Sequence, residues 1–479
     1  MEPGARRGKK FPQRRSAWRP KRKFSGSLRK PDNPELQIMS LAAGSARTLA
    51  LRMATLAIQI PTSILLARLL GVEGKGVYTL LTVIPWLTAF IFLFGQDTAQ
   101  TWLLSSRRSR LGPVAAYCFA LLATVSPLAA VVYLWGVAPR VMASAPGLLV
   151  AASAILVPLV VARYLVLGLI LGHERVIRFN LYYLATSVLV LVLVAVLTGA
   201  MGRGLAGALT AFIIAQAAVI PLGIWWIVRS WAEDTGAGRG NISGVQLVRR
   251  SLAYGLKGHL AGVLVTFNQR FDIFLLGALS DTTQIGLYAV AVAVAETIWH
   301  IPMSIHLNLF PRVSAEGSDT GVRRLPRAFR MTVILSVGLA LALLLLGRLL
   351  IGLLFGADFL PAYRSLALLL PGVLAVACAS VFESYFAGVD RRQYQSYSVA
   401  CSFAVGLSLG LWLIPRWGAP GAALASSVSY VLQMVISISL GRKAGARFGR
   451  EYLAFSIDDL RELYRVGRNI LGRETGEER

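Results

Sequence analysis

The sequence predicts an all-α, polytopic membrane protein with about 12 transmembrane helices in two six-helix lobes, related by an axis along the membrane normal. Three observations predict this class. Apolar residues make up 56% of the 479 residues and charged residues only 15%, with a mean hydropathy of +0.62, whereas soluble domains average about 45–50% apolar and about 25% charged. Positive charge recurs on every second connection between apolar segments, and the two halves share a sequence pattern.

Each predicted span has about the 20 apolar residues that a helix needs to cross a hydrocarbon core of about 30 Å. The first six spans lie near residues 46–69, 77–96, 113–135, 147–171, 179–199 and 204–228. The second six lie near residues 252–279, 286–310, 329–354, 363–387, 395–414 and 419–440. No later segment is long and apolar enough to cross, so the twelfth span is predicted to be the last.

The formal net charge of +26 is explained by topology. Most of the Lys and Arg residues fall in the N-terminal tail, on alternate connections and in the C-terminal tail; the other side holds only Lys75, Arg140, Arg203 and Arg416. Cytoplasmic loops retain positive charge. We therefore expect a protein of the inner (cytoplasmic) membrane with both termini in the cytoplasm, and no nucleic-acid partner.

An internal repeat divides the membrane part into two lobes. "LLARLLGVEGKGVYTLLT" superposes without a gap on "FLLGALSDTTQIGLYAV", which aligns Gly76 with Gly286 and Tyr78 with Tyr288. A later match, "RGLAGALTAF" with "WGAPGAALAS", aligns Gly204 with Gly418. Six spans return the chain to its starting side, so both lobes are predicted to have the same orientation.

The repeat and the composition together predict five regions. They are a disordered basic cytoplasmic tail (1–40), the N-terminal lobe (41–230), a polar cytoplasmic linker (231–250), the C-terminal lobe (251–441) and a cytoplasmic tail with an amphipathic helix (442–479).

Residues 41–440 resemble a known family of membrane proteins. The segments "LLARLLGVEGKGVYTLL", "IGLYAVAVAVAETIWHIPMSIHLNLFPRVSAEG", "LLFGADFLPAYRSLALLLPGVL" and "IPRWGAPGAALASSVSYVLQ" are similar to polysaccharide-export flippases of the Wzx type, within the multidrug/oligosaccharidyl-lipid/polysaccharide exporter superfamily. The resemblance implies a flippase that moves a polyprenyl-pyrophosphate-linked oligosaccharide (an O-antigen, capsule or exopolysaccharide unit) from the inner to the outer leaflet by alternating access. It also implies membrane lipids and a polysaccharide polymerase or chain-length machinery as partners.

Basic residues within the spans are the candidate binding residues for an anionic headgroup. An ionisable residue at a helix centre costs about 2.5–3.5 kcal/mol, so it usually faces a cavity or a partner. Arg47 and Arg52 lie early in the first span, the repeat places Lys257 at the position of Arg47, and Arg270 lies deeper in the seventh span. Arginine suits bidentate phosphate contact. The alternatives are snorkelling for Arg47 and Lys257, and an internal ion pair for Arg52 and Arg270.

A second group of polar residues is predicted to line the cavity or to carry a coupling ion. Asn268 and Asp272 share one face of the seventh span, and Glu296 and His300 share one face of the eighth. A structural hydrogen-bonded pair is the alternative for Glu296 and His300. Arg163 and Glu383 also lie within spans and receive no specific role.

Two transporter functions and one enzyme function compete with this hypothesis. A cation-coupled multidrug or toxin extruder would use acids in the first-lobe cavity, whereas the first span has two arginines and no acid. A lipid II-type flippase usually has two further C-terminal spans. A glycan polymerase or ligase needs a catalytic surface, and the predicted external loops are too short to hold one. No metal-ligand spacing or phosphate-binding loop occurs, so we expect neither an enzyme nor a metal or cofactor.

Overall fold

The computed structural model describes residues 34–173, 175–233, 240, 242–299, 318–446 and 448–452. Within these ranges all regular structure is helical, and ten helices are long and apolar enough to cross a membrane. The predicted all-α, multi-pass membrane class is confirmed. The N-terminal tail before residue 34, most of the linker, the C-terminal amphipathic helix and His300 lie outside the described residues.

Six helices follow one another in the first half of the chain. They are α1 (Pro34–Phe92), α2 (Gln96–Ser105), α3 (Leu111–Val141), α4 (Gly147–Gly172), α5 (Val176–Ala200) and α6 (Gly204–Glu233). The membrane part of α1, Arg47–Phe92, has 46 residues and would extend about 69 Å if straight. Its backbone leaves helical geometry at Gly71 (φ 68°, ψ −176°), so this one helix contains the first predicted span and most of the second.

Six further helices lie in the described part of the second half, which leaves out residues 300–317. They are α7 (Gly244–Leu279), α8 (Thr282–Ala295), α9 (Ser318–Leu354), α10 (Ala362–Gly388), α11 (Gln393–Trp417) and α12 (Ala419–Lys443). Asp281 caps α8, because its side chain accepts a hydrogen bond from the backbone N–H of Gln284 at 2.8 Å. A 3₁₀ turn, Glu296–Trp299, follows α8. The eighth predicted span is thus described only as far as Trp299.

The chain divides into two compact units, Met1–Arg47 and Thr48–Arg479. The second unit contains both lobes from Thr48 onward. In the first half α4 packs against α2, α3 and α6, and in the second half α10 packs against α8, α9 and α12. By the order of the spans α3 is equivalent to α9 and α6 to α12, whereas the repeat makes α8 equivalent to residues 72–85 of α1. α4 and α10 are also the most deeply buried of the candidate spans, so each forms the centre of its lobe.

The repeat also has the same backbone geometry in both lobes. Gly204 is the first residue of α6 and Gly418 directly precedes α12, with φ values of 54° and 58°. Positive φ is accessible to glycine because it has no Cβ. A glycine with positive φ therefore lies at the junction of the fifth and sixth spans in each lobe.

Among the described residues, glycines form two close contacts between the lobes. Near the start of the second predicted span, a Cβ on Gly76 would lie 1.8 Å from the carbonyl oxygen of Thr282. Just after α1, a Cβ on Gly95 would lie 2.4 Å from the carbonyl oxygen of Gly255. The part of α1 from Gly76 to Phe92 is about 24 Å long, which is close to the thickness of the hydrocarbon core. The lobes therefore touch near both membrane surfaces.

Candidate substrate-binding site

The best-defined charged contact in the C-terminal lobe joins Arg270 of α7 to Glu296, just after α8. Arg270 Nη1 lies 2.5 Å from Glu296 Oε1, and Nη2 donates to Oε2 at 3.2 Å. Each side chain is about a quarter exposed. This bidentate geometry is the strong form of an ion pair. The sequence predicted either phosphate binding or an internal ion pair for Arg270. The geometry agrees with the internal ion pair.

Asn268 and Asp272 are buried and take part in a hydrogen-bonded network. Asp272 accepts hydrogen bonds from the hydroxyls of Tyr288 and Ser426 and, at 2.7 Å, from the backbone N–H of Ile273. Asn268 donates to Gln433 Oε1 at 2.9 Å, and its own oxygen accepts from hydroxyls of α11 and α12. These bonds connect α7 to α8, α11 and α12 inside the C-terminal lobe.

The four predicted headgroup cations have different environments. Arg52 is half-buried on α1, where its Nε donates to Asn180 Oδ1 of α5 at 3.3 Å. Lys257 is exposed on α7, and Arg47 is exposed in the first compact unit. Arg270 belongs to the ion pair of the C-terminal lobe. Arg52 and Arg270 are therefore held by different lobes, and phosphate binding by all four stays a prediction.

A second arginine lies close to the surroundings of Arg52. The guanidinium of Arg163 on α4 is 5.4 Å from the ring centre of Tyr164 and 5.5 Å from that of Tyr183. Arg52 and Arg163 both interact electrostatically with Tyr183, which lies one turn after Asn180 on α5. We call Arg52, Arg163, Tyr164, Asn180 and Tyr183 the N-lobe cation cluster.

Arg163 has available hydrogen-bonding capacity. Its Nε is buried without a hydrogen-bond partner among the described residues. Two aromatic faces stabilise its charge through cation–π contact, but an aromatic face does not satisfy the in-plane N–H donors. Tyr164 is itself held in place, because its hydroxyl accepts a hydrogen bond from Trp86 Nε1 at 3.1 Å. The N-lobe cation cluster can therefore offer a guanidinium to an anion.

The C-terminal lobe contains a polar cavity of about 510 Å³. Its polar lining comes from α7, α10, α11 and α12 and from the loop before α11: Asn268, Gln269, Ser380, Glu383, Arg392, Gln395 and Gln433. Trp299 also lines it. Glu383 accepts hydrogen bonds from the amides of Gln433 at 2.8 Å and Gln395 at 2.9 Å. This cavity lies within the C-terminal lobe.

Sequence reasoning gave no role to several of these residues. Arg163 and Glu383 could have been found, since an ionisable residue within a span is a functional candidate by default. Gln395 and Gln433 are not ionisable, so nothing in the sequence marks them as functional candidates. Their positions become significant only when α10, α11 and α12 are packed together.

The comparisons with known proteins place the chain in a family. A family model described as "Polysaccharide biosynthesis protein" matches residues 65–364, more than half of the chain. The chain belongs to this polysaccharide biosynthesis protein family. The family resemblance inferred from the sequence is confirmed. No curated protein matches the chain.

Solved structures show the fold of this family member. The lipid II flippase MurJ in an inward closed conformation has a TM-score of 0.66 at 13% identity, covering 89% of this chain and 92% of MurJ. An inward-facing multidrug resistance MATE family transporter of the MOP superfamily has a TM-score of 0.64 at 13% identity, covering 84% of this chain and 98% of the transporter. A MOP superfamily transporter from Pyrococcus furiosus has a TM-score of 0.54 at 13% identity, covering 84% and 95%.

At identities this low, the structural similarity establishes a shared fold and does not identify the substrate. Family and fold together support a multi-pass membrane flippase or transporter. The relatives compared are transporters and flippases by description, and none of them is described as an enzyme.

Proposed function

We propose that the protein is a flippase that moves a polyprenyl-pyrophosphate-linked oligosaccharide from the inner to the outer leaflet of the cytoplasmic membrane by alternating access. The cargo is an O-antigen, capsule or exopolysaccharide unit. Both termini are cytoplasmic, and a polysaccharide polymerase or chain-length machinery receives the product. Membership of a polysaccharide biosynthesis family supports the class of cargo.

The observation that carries the proposal is the half-buried side chain of Arg163 in the N-lobe cation cluster. Its Nε has no hydrogen-bond partner among the described residues, and a cation within the membrane is costly without an anion. Cation–π contacts offset part of this cost. A bound pyrophosphate offsets the rest of this cost, because its oxygens accept hydrogen bonds from the planar N–H donors of a guanidinium. Arg52 adds a second cation from α1.

The lobe contacts support alternating access. The lobes meet at glycines near both membrane surfaces, where their backbones approach closely. Opening one contact while the other holds would expose the N-lobe cation cluster to one side at a time. Transport then needs no bond to form or break in the cargo, so the proposal includes no catalytic residue.

The test uses the purified protein in proteoliposomes loaded with lipid-linked oligosaccharide from a deletion strain. Oxidation of accessible sugars by periodate outside the vesicles measures movement between leaflets. Arg163→Gln and Arg52→Gln should each lower the initial rate about tenfold or more, since a charge-assisted hydrogen bond contributes about 1.5–3 kcal/mol and about 1.4 kcal/mol is tenfold.

Arg178→Gln is the matched control, because Arg178 lies on α5 outside the N-lobe cation cluster and donates to Ser230 of α6 at 2.8 Å. It should translocate at nearly the wild-type rate. Ion-driven uptake of a cationic dye, with no movement of the glycolipid, would instead identify a multidrug extruder. Equal movement of lipid II would identify a lipid II-type flippase.

A further inference from the structure

We propose that the polar cavity of the C-terminal lobe binds an uncharged sugar of the glycolipid, so that the sugar and the pyrophosphate are held by different lobes. This inference rests on the proposed function for the identity of the cargo. It adds a second binding site, 510 Å³ in volume, to the N-lobe cation cluster.

The lining of the cavity has the chemistry that a sugar requires. Amides, a hydroxyl and a carboxylate alternate with apolar side chains, and the ring of Trp299 is part of the wall. A sugar ring presents hydroxyls at its edge and C–H groups on its faces, so it needs both kinds of neighbour. A cavity of a few hundred Å³ with a small number of placed polar groups is typical of a small-molecule site.

Hydrogen-bonding capacity remains available within the cavity. The side-chain amide of Gln269 makes no hydrogen bond within the part of the chain that the structure describes, although it lines the cavity. Each carboxylate oxygen of Glu383 accepts one hydrogen bond, one from Gln433 and the other from Gln395. A carboxylate has about four acceptor sites, so about two remain for ligand hydroxyls.

The polar wall is held rigid from behind. Gln433 donates to Glu383 through its nitrogen and accepts from Asn268 through its oxygen at 2.9 Å. Asn268 in turn accepts from the hydroxyl of Ser429 at 3.2 Å. Polar groups whose directions are already fixed lose little entropy on binding. This arrangement presents Glu383 and Gln395 in a defined geometry.

The charges in the wall favour an uncharged sugar. Glu383 is half-buried, whereas Arg392 is exposed and therefore screened by water. A uronate or a phosphorylated sugar would place a second anion beside the Glu383 carboxylate in a poorly hydrated space. Neutral and N-acetylated sugars avoid that repulsion and supply the hydroxyl and amide donors that a carboxylate accepts.

One helix connects the cavity to the N-terminal lobe. His259 of α7 lies 2.8 Å from the carbonyl oxygen of Ile91, and its ring packs near Phe90, which itself contacts Tyr164 of the N-lobe cation cluster. Gln269 lies ten residues later on α7, about 15 Å along the helix. A glycolipid headgroup extending along α7 would thus reach both sites.

The test measures equilibrium binding to the full-length protein in nanodiscs. The probes are polyprenyl pyrophosphate without sugar and the same lipid carrying one neutral oligosaccharide unit. Gln269→Leu and Glu383→Gln should weaken binding of the glycolipid about tenfold or more and leave binding of the bare lipid unchanged. Gln59→Leu is the control, because the repeat aligns Gln59 with Gln269 but its amide donates to Ser187 in the N-terminal lobe.

The two proposals fail in different ways. If Gln269→Leu and Glu383→Gln bind the glycolipid as the wild type does while Arg163→Gln weakens both lipids, the sugar site is wrong and the flippase proposal stands. If Arg163→Gln changes binding of neither lipid, the flippase proposal is overturned. Thermal unfolding of each variant establishes that it is folded, and Gln269→Leu tests the site even if Glu383→Gln does not fold.

Discussion

Gly76 and Gly286, which the internal repeat aligns with each other, lie face to face across the contact between the lobes. A Cβ on Gly76 would lie 1.8 Å from the carbonyl oxygen of Thr282, and a Cβ on Gly286 would lie 1.9 Å from that of Val72. A residue that contacts its own symmetry mate must lie next to the symmetry axis. The axis relating the two lobes therefore passes between these glycines.

The first prediction concerns this contact. A Cβ cannot fit at Gly76 or Gly286 unless the two backbones move apart. Gly76→Ala and Gly286→Ala should therefore lower the melting temperature in detergent. They should also raise the reactivity of cysteines introduced at the contact. Gly338→Ala, a helical position with nothing within 4 Å of the added Cβ, should be neutral or stabilising by about 1 kcal/mol. Equal melting temperatures for all three variants would contradict the contact.

The second prediction concerns the contact near the other membrane surface. The rings of Trp102 and Tyr254 stack with centroids 4.3 Å apart, and Ser251 donates to Gln96 at 2.6 Å. In a cysteine-free background, Gln96→Cys with Ser251→Cys should form a disulfide that stops translocation, and reductant should restore it, since alternating access requires this contact to open. Full-rate transport by the oxidised protein would show that the contact does not move.

The third prediction separates the two roles considered for Arg270. Glu296→Leu alone should destabilise the protein by about 3 kcal/mol, because it leaves a partly buried arginine without its partner. Combined with Arg270→Leu, it should recover most of the stability, as judged by thermal unfolding. The double variant should still bind polyprenyl pyrophosphate. A folded double variant that has lost this binding would instead make Arg270 a direct ligand of the headgroup.

The fourth prediction concerns the segment after α12. Tyr452 is buried against Phe329, Phe382 and Phe448, so Tyr452→Ala should cost about 3 kcal/mol. Tyr397→Ala, at a side chain that is 58% exposed, should cost little. The melting temperatures of the two variants check this difference, and a similar loss in both would argue against the aromatic cluster.

The same cluster predicts a pH dependence. Burial raises the pKa of Tyr452 above its ordinary value of about 10. The folded state therefore favours the neutral phenol, and the stability that this contributes is present below about pH 10 and is lost as the pH rises further. Tyr452→Phe should keep the packing and remove part of this alkaline loss, which thermal unfolding between pH 8 and pH 11 would measure.

Part of the candidate site could be predicted from the sequence. The repeat identified Gly76 and Gly286 as equivalent, and ionisable residues within spans marked Arg52, Arg270 and Glu296. The pairing of Arg270 with Glu296 could not be chosen in advance, because the sequence does not show which acid of another helix faces Arg270. A transmembrane helix is apolar on nearly all sides, so its sequence pattern says little about which face turns inward.

The sequence by itself determined the class, the two-lobed repeat and the family. These properties depend on the length of apolar segments, on the placement of positive charge and on residues close together in the chain. Only the tertiary structure decided that Arg163 joins Arg52, that Arg270 is neutralised by Glu296, and that Glu383, Gln395 and Gln433 surround a cavity. Each of those relationships depends on the rotation of one packed helix against another, and that rotation is set by contacts between residues far apart in the chain.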